Sequence, residues 1–194
     1  MQISKFLSQK ILSMFGWNIQ LNVPKTNKSV ICVAPHTSNW DFIVGKLGYT
    51  SLGLTAHFMI KKEWFIFPFN LFFNKIGGIP VERSRKTNLV DQLVEFYNTK
   101  EVFNVAITPE ATRSRNKNWK MGFYYIAKRA NVPIQLAYMD FEKKVMCLAE
   151  LFYPTDDERK DFEYINNFYK DIKGRNPENF ALNDIDKCLK RRSK

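Results

Sequence analysis

Short apolar runs rich in β-branched residues alternate along the chain with longer stretches in which apolar side chains recur every three or four positions. The run Ser29–Ala34 (SVICVA) predicts a buried strand, and Thr55–Ile60, Ile79–Glu82, Phe103–Thr108, Pro133–Asp140 and Lys144–Glu150 predict further strands. Between them, helical spacing predicts helices at Asp41–Ser51, Glu63–Asn74, Asn88–Asn98, Trp119–Ala130 and Glu158–Lys173. Pro68 should break or kink the second of these. The last two strands are separated only by Phe141–Lys143 and should form a hairpin. This alternation predicts a single α/β domain over residues 1–194, with a mostly parallel mixed central sheet flanked by helices. At the N-terminus Ile3, Phe6, Leu7, Ile11, Met14 and Phe15 predict an amphipathic helix within residues 1–20. It either packs on the core of the protein or lies in a membrane interface. Residues 187–194 form a basic tail, expected to be a solvated helix end and frayed coil.

The chain of 194 residues carries 30 Lys and Arg against 19 Asp and Glu, a net charge of +11. With 15% aromatic residues, that excess points to an anionic partner: nucleic acid, a membrane surface or a phosphorylated substrate. Three scattered cysteines (Cys32, Cys147, Cys188) fit a reducing compartment rather than a disulfide framework. Two histidines leave no room for a His-rich metal site, and no metal is expected. No apolar run is long enough for a transmembrane helix, and Lys5 and Lys10 interrupt the N-terminal apolar stretch, against a signal peptide.

The most informative stretch is Pro35–Asp41 (PHTSNWD), at the expected carboxyl end of the first strong strand, where ligands bind in open α/β sheets. On a continuous helix five residues rotate the side chain by about 140°, so His36 and Asp41 would not meet. On a strand they would be roughly 16 Å apart. They meet only if the chain turns between them, with His36 on the loop and Asp41 in the first helical turn. Thr37, Ser38 and Asn39 supply residues suited to start that helix. Asp41 would then fix the imidazole tautomer and leave its other nitrogen as a base that works near neutral pH. Free N–H groups at the helix N-terminus are available to an oxyanion on an attacked carbonyl. The plainer alternative is a loop histidine beside a capping box of Ser38 and Asp41.

Two further segments suit an anion. Gly77 and Gly78 precede the short strand Ile79–Glu82, and Arg83 follows it, with Arg85 and Lys86 nearby. Thr108–Arg115 (TPEATRSR) follows the strand Phe103–Thr108, and its Glu110 and Arg113 are close enough in sequence to pair or share a ligand. No G-x-S-x-G elbow and no phosphate-binding glycine loop occurs. Cys32 falls inside the first strand and reads as core rather than nucleophile.

The order H-x4-D, GGIPVER, TPEATRS, VPI, from His36 to Ile134, resembles the glycerophospholipid acyltransferases of the 1-acylglycerol-3-phosphate O-acyltransferase type. The resemblance implies a glycerol-3-phosphate acyltransferase-like fold. It assigns His36 as general base and Asp41 as its orienting partner. Arg83, Glu110, Thr112 and Arg113 become acceptor-binding, Gly77 and Gly78 match the turn glycines, and Pro133 matches the fourth block. The implied reaction moves a fatty acyl group from acyl-CoA or acyl-carrier protein to a hydroxyl of a lysophospholipid, with the thioester as co-substrate and no cofactor. The family's third block has glycine where this chain has Ala111, whose methyl is expected to narrow the pocket or exclude a positive φ. A peripheral location on the inner, cytoplasmic face of the membrane follows, with the aromatic segment Glu63–Phe73 as acyl-chain groove or interface contact and no nucleic-acid partner. The alternatives are a non-catalytic basic module binding membrane or nucleic acid, and an acyl-thioester hydrolase.

Overall fold

In a computed structural model, which describes residues 2–82 and 88–190, seven strands and seven α-helices alternate along the chain. The strands are β1 (Asn18–Leu21), β2 (Lys28–Val33), β3 (Phe58–Lys61), β4 (Gly78–Val81), β5 (Phe103–Ile107), β6 (Ile134–Asp140) and β7 (Val145–Phe152). The helices are α1 (Gln2–Met14), α2 (Trp40–Ser51), α3 (Phe69–Ile76), α4 (Asn88–Thr99), α5 (Gly122–Ala130), α6 (Glu158–Tyr169) and α7 (Ile185–Lys190).

Five strands form the central sheet in the order β1-β7-β6-β2-β5. β2 runs parallel to both β5 and β6, β1 runs parallel to β7, and only the β6–β7 hairpin is antiparallel. The pleat of β2 divides its side chains between two cores. Val30 and Cys32 face the side covered by α4, α5 and α6, and Ile31 and Val33 face the side covered by α1 and α2. Burial on both faces explains why β2 reads as a continuous apolar run.

Three expectations are corrected. The N-terminal helix does not extend to residue 20: it ends at Met14, Gly16 takes a left-handed conformation (φ +75°), and the chain then adds an edge strand at residues 18–21. The strands expected at 55–60 and 79–82 form, but they pair with each other in a separate two-stranded parallel sheet. That small sheet joins the main one through a bridge from His57 to Val105, with the His57 N–H on the Asn104 carbonyl at 2.7 Å and the Ala106 N–H on the His57 carbonyl at 2.8 Å. The helix expected at 119–130 starts three residues later, because Trp119 is buried (2% exposed) with its indole N–H on the Ala181 carbonyl. Pro68 does break the segment before β4: a short 3₁₀ turn at Lys62–Trp64 is followed by α3 from Phe69. The basic tail is helical to Lys190, and residues 191–194 lie outside the described residues.

Candidate active site

Parallel pairing of β2 with β5 sets Cys32 opposite Ile107, so the loops leaving these two strands emerge side by side. Four residues beyond Cys32 comes His36; three beyond Ile107 comes Glu110. Their loops meet through a 2.6 Å hydrogen bond from the His36 backbone N–H to Glu110 Oε1.

The turn required between His36 and Asp41 is present. His36 Nδ1 lies 3.0 Å from Asp41 Oδ2. A carboxylate only accepts, so in the neutral imidazole the proton between them sits on Nδ1 and Nε2 is the accepting nitrogen. The same Oδ2 accepts the backbone N–H groups of Thr37 (2.8 Å) and Ser38 (3.0 Å). Ser38 Oγ in turn accepts the Trp40 N–H. The carboxylate half of the expected capping box, Asp41 accepting the Ser38 N–H, and the His–Asp pair therefore share one oxygen rather than being alternatives. The helix carries its cap at Asn39 without a side-chain hydrogen bond. The N–H groups of Thr37, Ser38 and Trp40 are occupied inside the turn and are not directed at an oxyanion, contrary to the expectation from sequence. Asp41 is 3% exposed, and its other oxygen, Oδ1, has no partner among the described residues.

Glu110 is fully buried and turns toward the His36 backbone instead of the open cavity. Burial raises its carboxyl from the ordinary 4.5 to about 8; the His36 N–H works against that rise and the Asp41 charge adds to it. Asn116 braces this loop by donating to the Glu110 carbonyl at 2.9 Å. Ala111, at the position where the resemblance predicts glycine, adopts φ +55°, so its methyl does not exclude the left-handed conformation. Cys32 lies in the core, where burial pushes its thiol to about 12, out of reach of nucleophilic chemistry near neutral pH.

A cavity of about 960 Å³ opens beside the pair. His36, Asp41, Thr112 and Arg113 line it, together with an apolar wall that includes Val33, Gly45, Ala106, Ala137, Met139 and Met146. Gly77 and Gly78 are not among its lining residues. Gly77 closes α3 at φ +89°, with its Cα so near Ala56 that a Cβ would lie 2.8 Å from the Ala56 carbonyl oxygen. A Cβ on Gly78 would meet the Ile60 side chain at 2.7 Å. The paired glycines thus let α3 and β4 pack against β3. Arg83, with Arg85 and Lys86, lies outside the described residues. Pro133 precedes β6, and its carbonyl accepts the Val30 N–H at 3.0 Å, tying β6 to β2. No residue of Glu63–Phe73 lines the cavity, and the apolar Trp64, Ile66, Phe67, Phe69, Leu71 and Phe72 are exposed at the surface.

The cavity also holds groups that the sequence reading passed over. Lys46 and His57 line it, and burial lowers the proton affinity of both. For His57 the Asn104 carbonyl works against that burial, and the Lys100 and Lys46 charges add to it. Lys46 stands one turn after Phe42 on the same face of α2, and a lone lysine on a largely apolar helix was the available signal. His57 had none, because its place depends on the bridge to β5. Among the described residues no group of three or more His, Cys, Asp or Glu side chains is placed to hold a metal ion.

Comparison with known proteins gives the same picture from outside. No curated protein matches the sequence. The chain shares its fold with the crystal structure of PlsC, the 1-acyl-sn-glycerophosphate (LPA) acyltransferase of Thermotoga maritima. The TM-score is 0.57 over 87% of this chain and 76% of that one, at 17% identity. Residues 18–139, which contain His36 and Asp41, match the acyltransferase family. The chain belongs to the acyltransferase family.

Proposed function

We propose that the protein transfers a fatty acyl group from an acyl thioester, carried on CoA or acyl-carrier protein, to a hydroxyl of a lysophospholipid such as 1-acylglycerol-3-phosphate. The observation that carries this reading is the 3.0 Å His36–Asp41 contact at the wall of a cavity with an apolar lining. His36 Nε2 takes the acceptor's hydroxyl proton as the oxygen attacks the thioester carbonyl. The C–S bond then breaks, and the thiolate leaves with the proton returned by the imidazolium. The products are an ester and a free thiol. Asp41 holds the ring and supports its positive charge during the transfer. Thr112 and Arg113, at the cavity, and Arg83 serve the acceptor phosphate, and holding it there supplies rate by proximity. Buried Glu110 acts on His36 through the backbone, and Gly77 and Gly78 act through the packing of the small sheet. The reaction needs no cofactor beyond the thioester. The apolar wall from Gly45 to Met146 suits the acyl chain.

Among the described residues no helix is long and apolar enough to cross a membrane. The six exposed apolar side chains of segment 64–72, flanked by exposed Lys61, Lys62 and Lys75, support peripheral contact with an anionic bilayer at its inner face.

The test is acyl transfer from radiolabelled acyl-CoA or acyl-carrier protein to a panel of lysolipids. Labelled ester that appears only with acceptor, and not with His36→Ala, supports the reading. Labelled fatty acid released at the same rate without acceptor would make the protein a thioester hydrolase instead. Lipid binding with no chemistry in the wild type would make it a binding module.

A further inference from the structure

The loop that carries His36 is held from outside by a segment far along the chain, beyond the residues that match the family. After α6 the backbone returns across the site at residues 173–176. The Asn176 side-chain amide donates to the Thr37 carbonyl at 2.9 Å, and the Asn176 backbone N–H donates to Thr37 Oγ1 at 3.2 Å. Thr37 is 2% exposed. Its own N–H is the group that donates to Asp41 Oδ2, the oxygen paired with His36. Each polar group of Thr37 is thus used, one toward the catalytic carboxylate and two toward Asn176. Gly174 fits because it has no side chain: a Cβ there would stand 2.8 Å from Thr37 Oγ1 and 3.1 Å from the Pro35 ring. The Arg175 guanidinium lies over the Trp40 ring, 5.2 Å from its centre, at the first residue of α2. At its start the segment is anchored to the main sheet, where the Lys173 carbonyl accepts the Phe141 N–H at 2.9 Å.

We infer that Gly174–Asn176 is a strap that sets the His36–Asp41 geometry, with Asn176 as a positioning residue acting through Thr37. This rests on the catalytic reading of that pair. Two hydrogen bonds converging on one buried threonine fix the loop's peptide planes. Those planes aim the Thr37 N–H at Asp41 and thereby hold the carboxylate where it orients the imidazole. Asn176 touches neither substrate nor the imidazole, so its loss should impair turnover rather than binding.

The experiment uses the whole chain and two readouts. In the first, Asn176→Ala and Thr37→Val are compared with the wild type in the acyl-transfer assay. The strap predicts that kcat falls tenfold or more in both, that KM for donor and acceptor stays within twofold, and that Thr37→Ser, which keeps the hydroxyl, retains near wild-type kcat. Asp171→Asn, an exposed change nearby, should leave kcat unaltered. In the second, the two histidines are labelled with 15N, and the Nδ1–H signal absent from His36→Ala is followed. Its exchange with water should accelerate at least fivefold in Asn176→Ala and Thr37→Val. Unchanged kcat and unchanged exchange in both variants overturn the strap, as does a loss confined to KM. If Asn176→Ala fails to fold, Thr37→Val decides, since valine keeps the shape of threonine. The two failures separate: a wild type that transfers no acyl group overturns the reaction, while the proton signal still judges the strap.

Discussion

Replacing His36 by alanine removes, among the described residues, the only imidazole of the cavity that is paired with a carboxylate. Acyl transfer should fall by roughly 10² to 10⁴-fold, the usual contribution of a positioned proton acceptor. Asp41→Asn keeps the shape but ends the charge support, and should fall in the same range with thioester KM little changed; steady-state kinetics with purified variants check both. Glu110 offers a different test. Its carboxyl is neutral up to about pH 8 in the folded protein and only to about 4.5 when exposed. The folded state therefore holds a proton that the unfolded state has lost between those values. Stability from this site is full below pH 4.5 and declines as pH rises toward 8. Glu110→Gln should flatten that decline, gaining on the wild type in urea melts at pH 8 relative to pH 5. Glu110→Ala leaves the His36 N–H unpaired in the interior and should lose about 1–3 kcal/mol at either pH. The contrast with the sequence is instructive at this scale. His36 and Asp41 were legible because five residues and a turn suffice to join them. The inward turn of Glu110 was not, because it depends on the register of β2 against β5, which no local spacing encodes.

The second helix and the small sheet decide what the cavity can hold. Gly45 sits on the cavity wall of α2, where a Cβ would lie in ordinary contact, 3.7 Å, with the Met139 sulfur. Gly45→Val should fit into the helix but fill the apolar end, shifting preference toward shorter acyl thioesters; a chain-length series of donors reads this directly, and an unaltered profile would count against an acyl role for that wall. Gly77→Ala faces both a φ of +89° and the Ala56 carbonyl, and should cost on the order of 2 kcal/mol of stability by thermal melting. Each strand expected from sequence exists with ends shifted by no more than three residues, because β-branched runs and turn residues are local signals. The separation of β3 and β4 from the main sheet was hidden, since their pairing partners are chosen by tertiary packing. The edge strand at 18–21 was hidden for another reason: only four residues long and half-exposed, it lacks the apolar run that marks β2.

Over the whole molecule, two forces would act in the proposed contact with a bilayer, and their sizes differ. Each exposed Trp, Phe, Leu or Ile of segment 64–72 gains up to about 1.5–3 kcal/mol when fully buried, and each nearby lysine about 1 kcal/mol at an anionic surface. The apolar term is the larger, so high salt should weaken flotation with anionic liposomes without abolishing it, whereas Trp64→Ser, Phe67→Ser and Phe72→Ser together should release the protein. Recovery equal with and without liposomes for the wild type would end the proposal of peripheral binding.

Thr37 and Asn176 meet across 139 positions of chain. During synthesis the histidine, its aspartate and the β2–β5 pair all leave the ribosome well before the asparagine does. On the proposed strap, the reactive loop of a nascent polypeptide reaches its final geometry only when the later segment arrives. Truncation products ending before Gly174 would retain all of residues 18–139, the stretch that matches the family, and still lack the contact proposed to set its reactive loop.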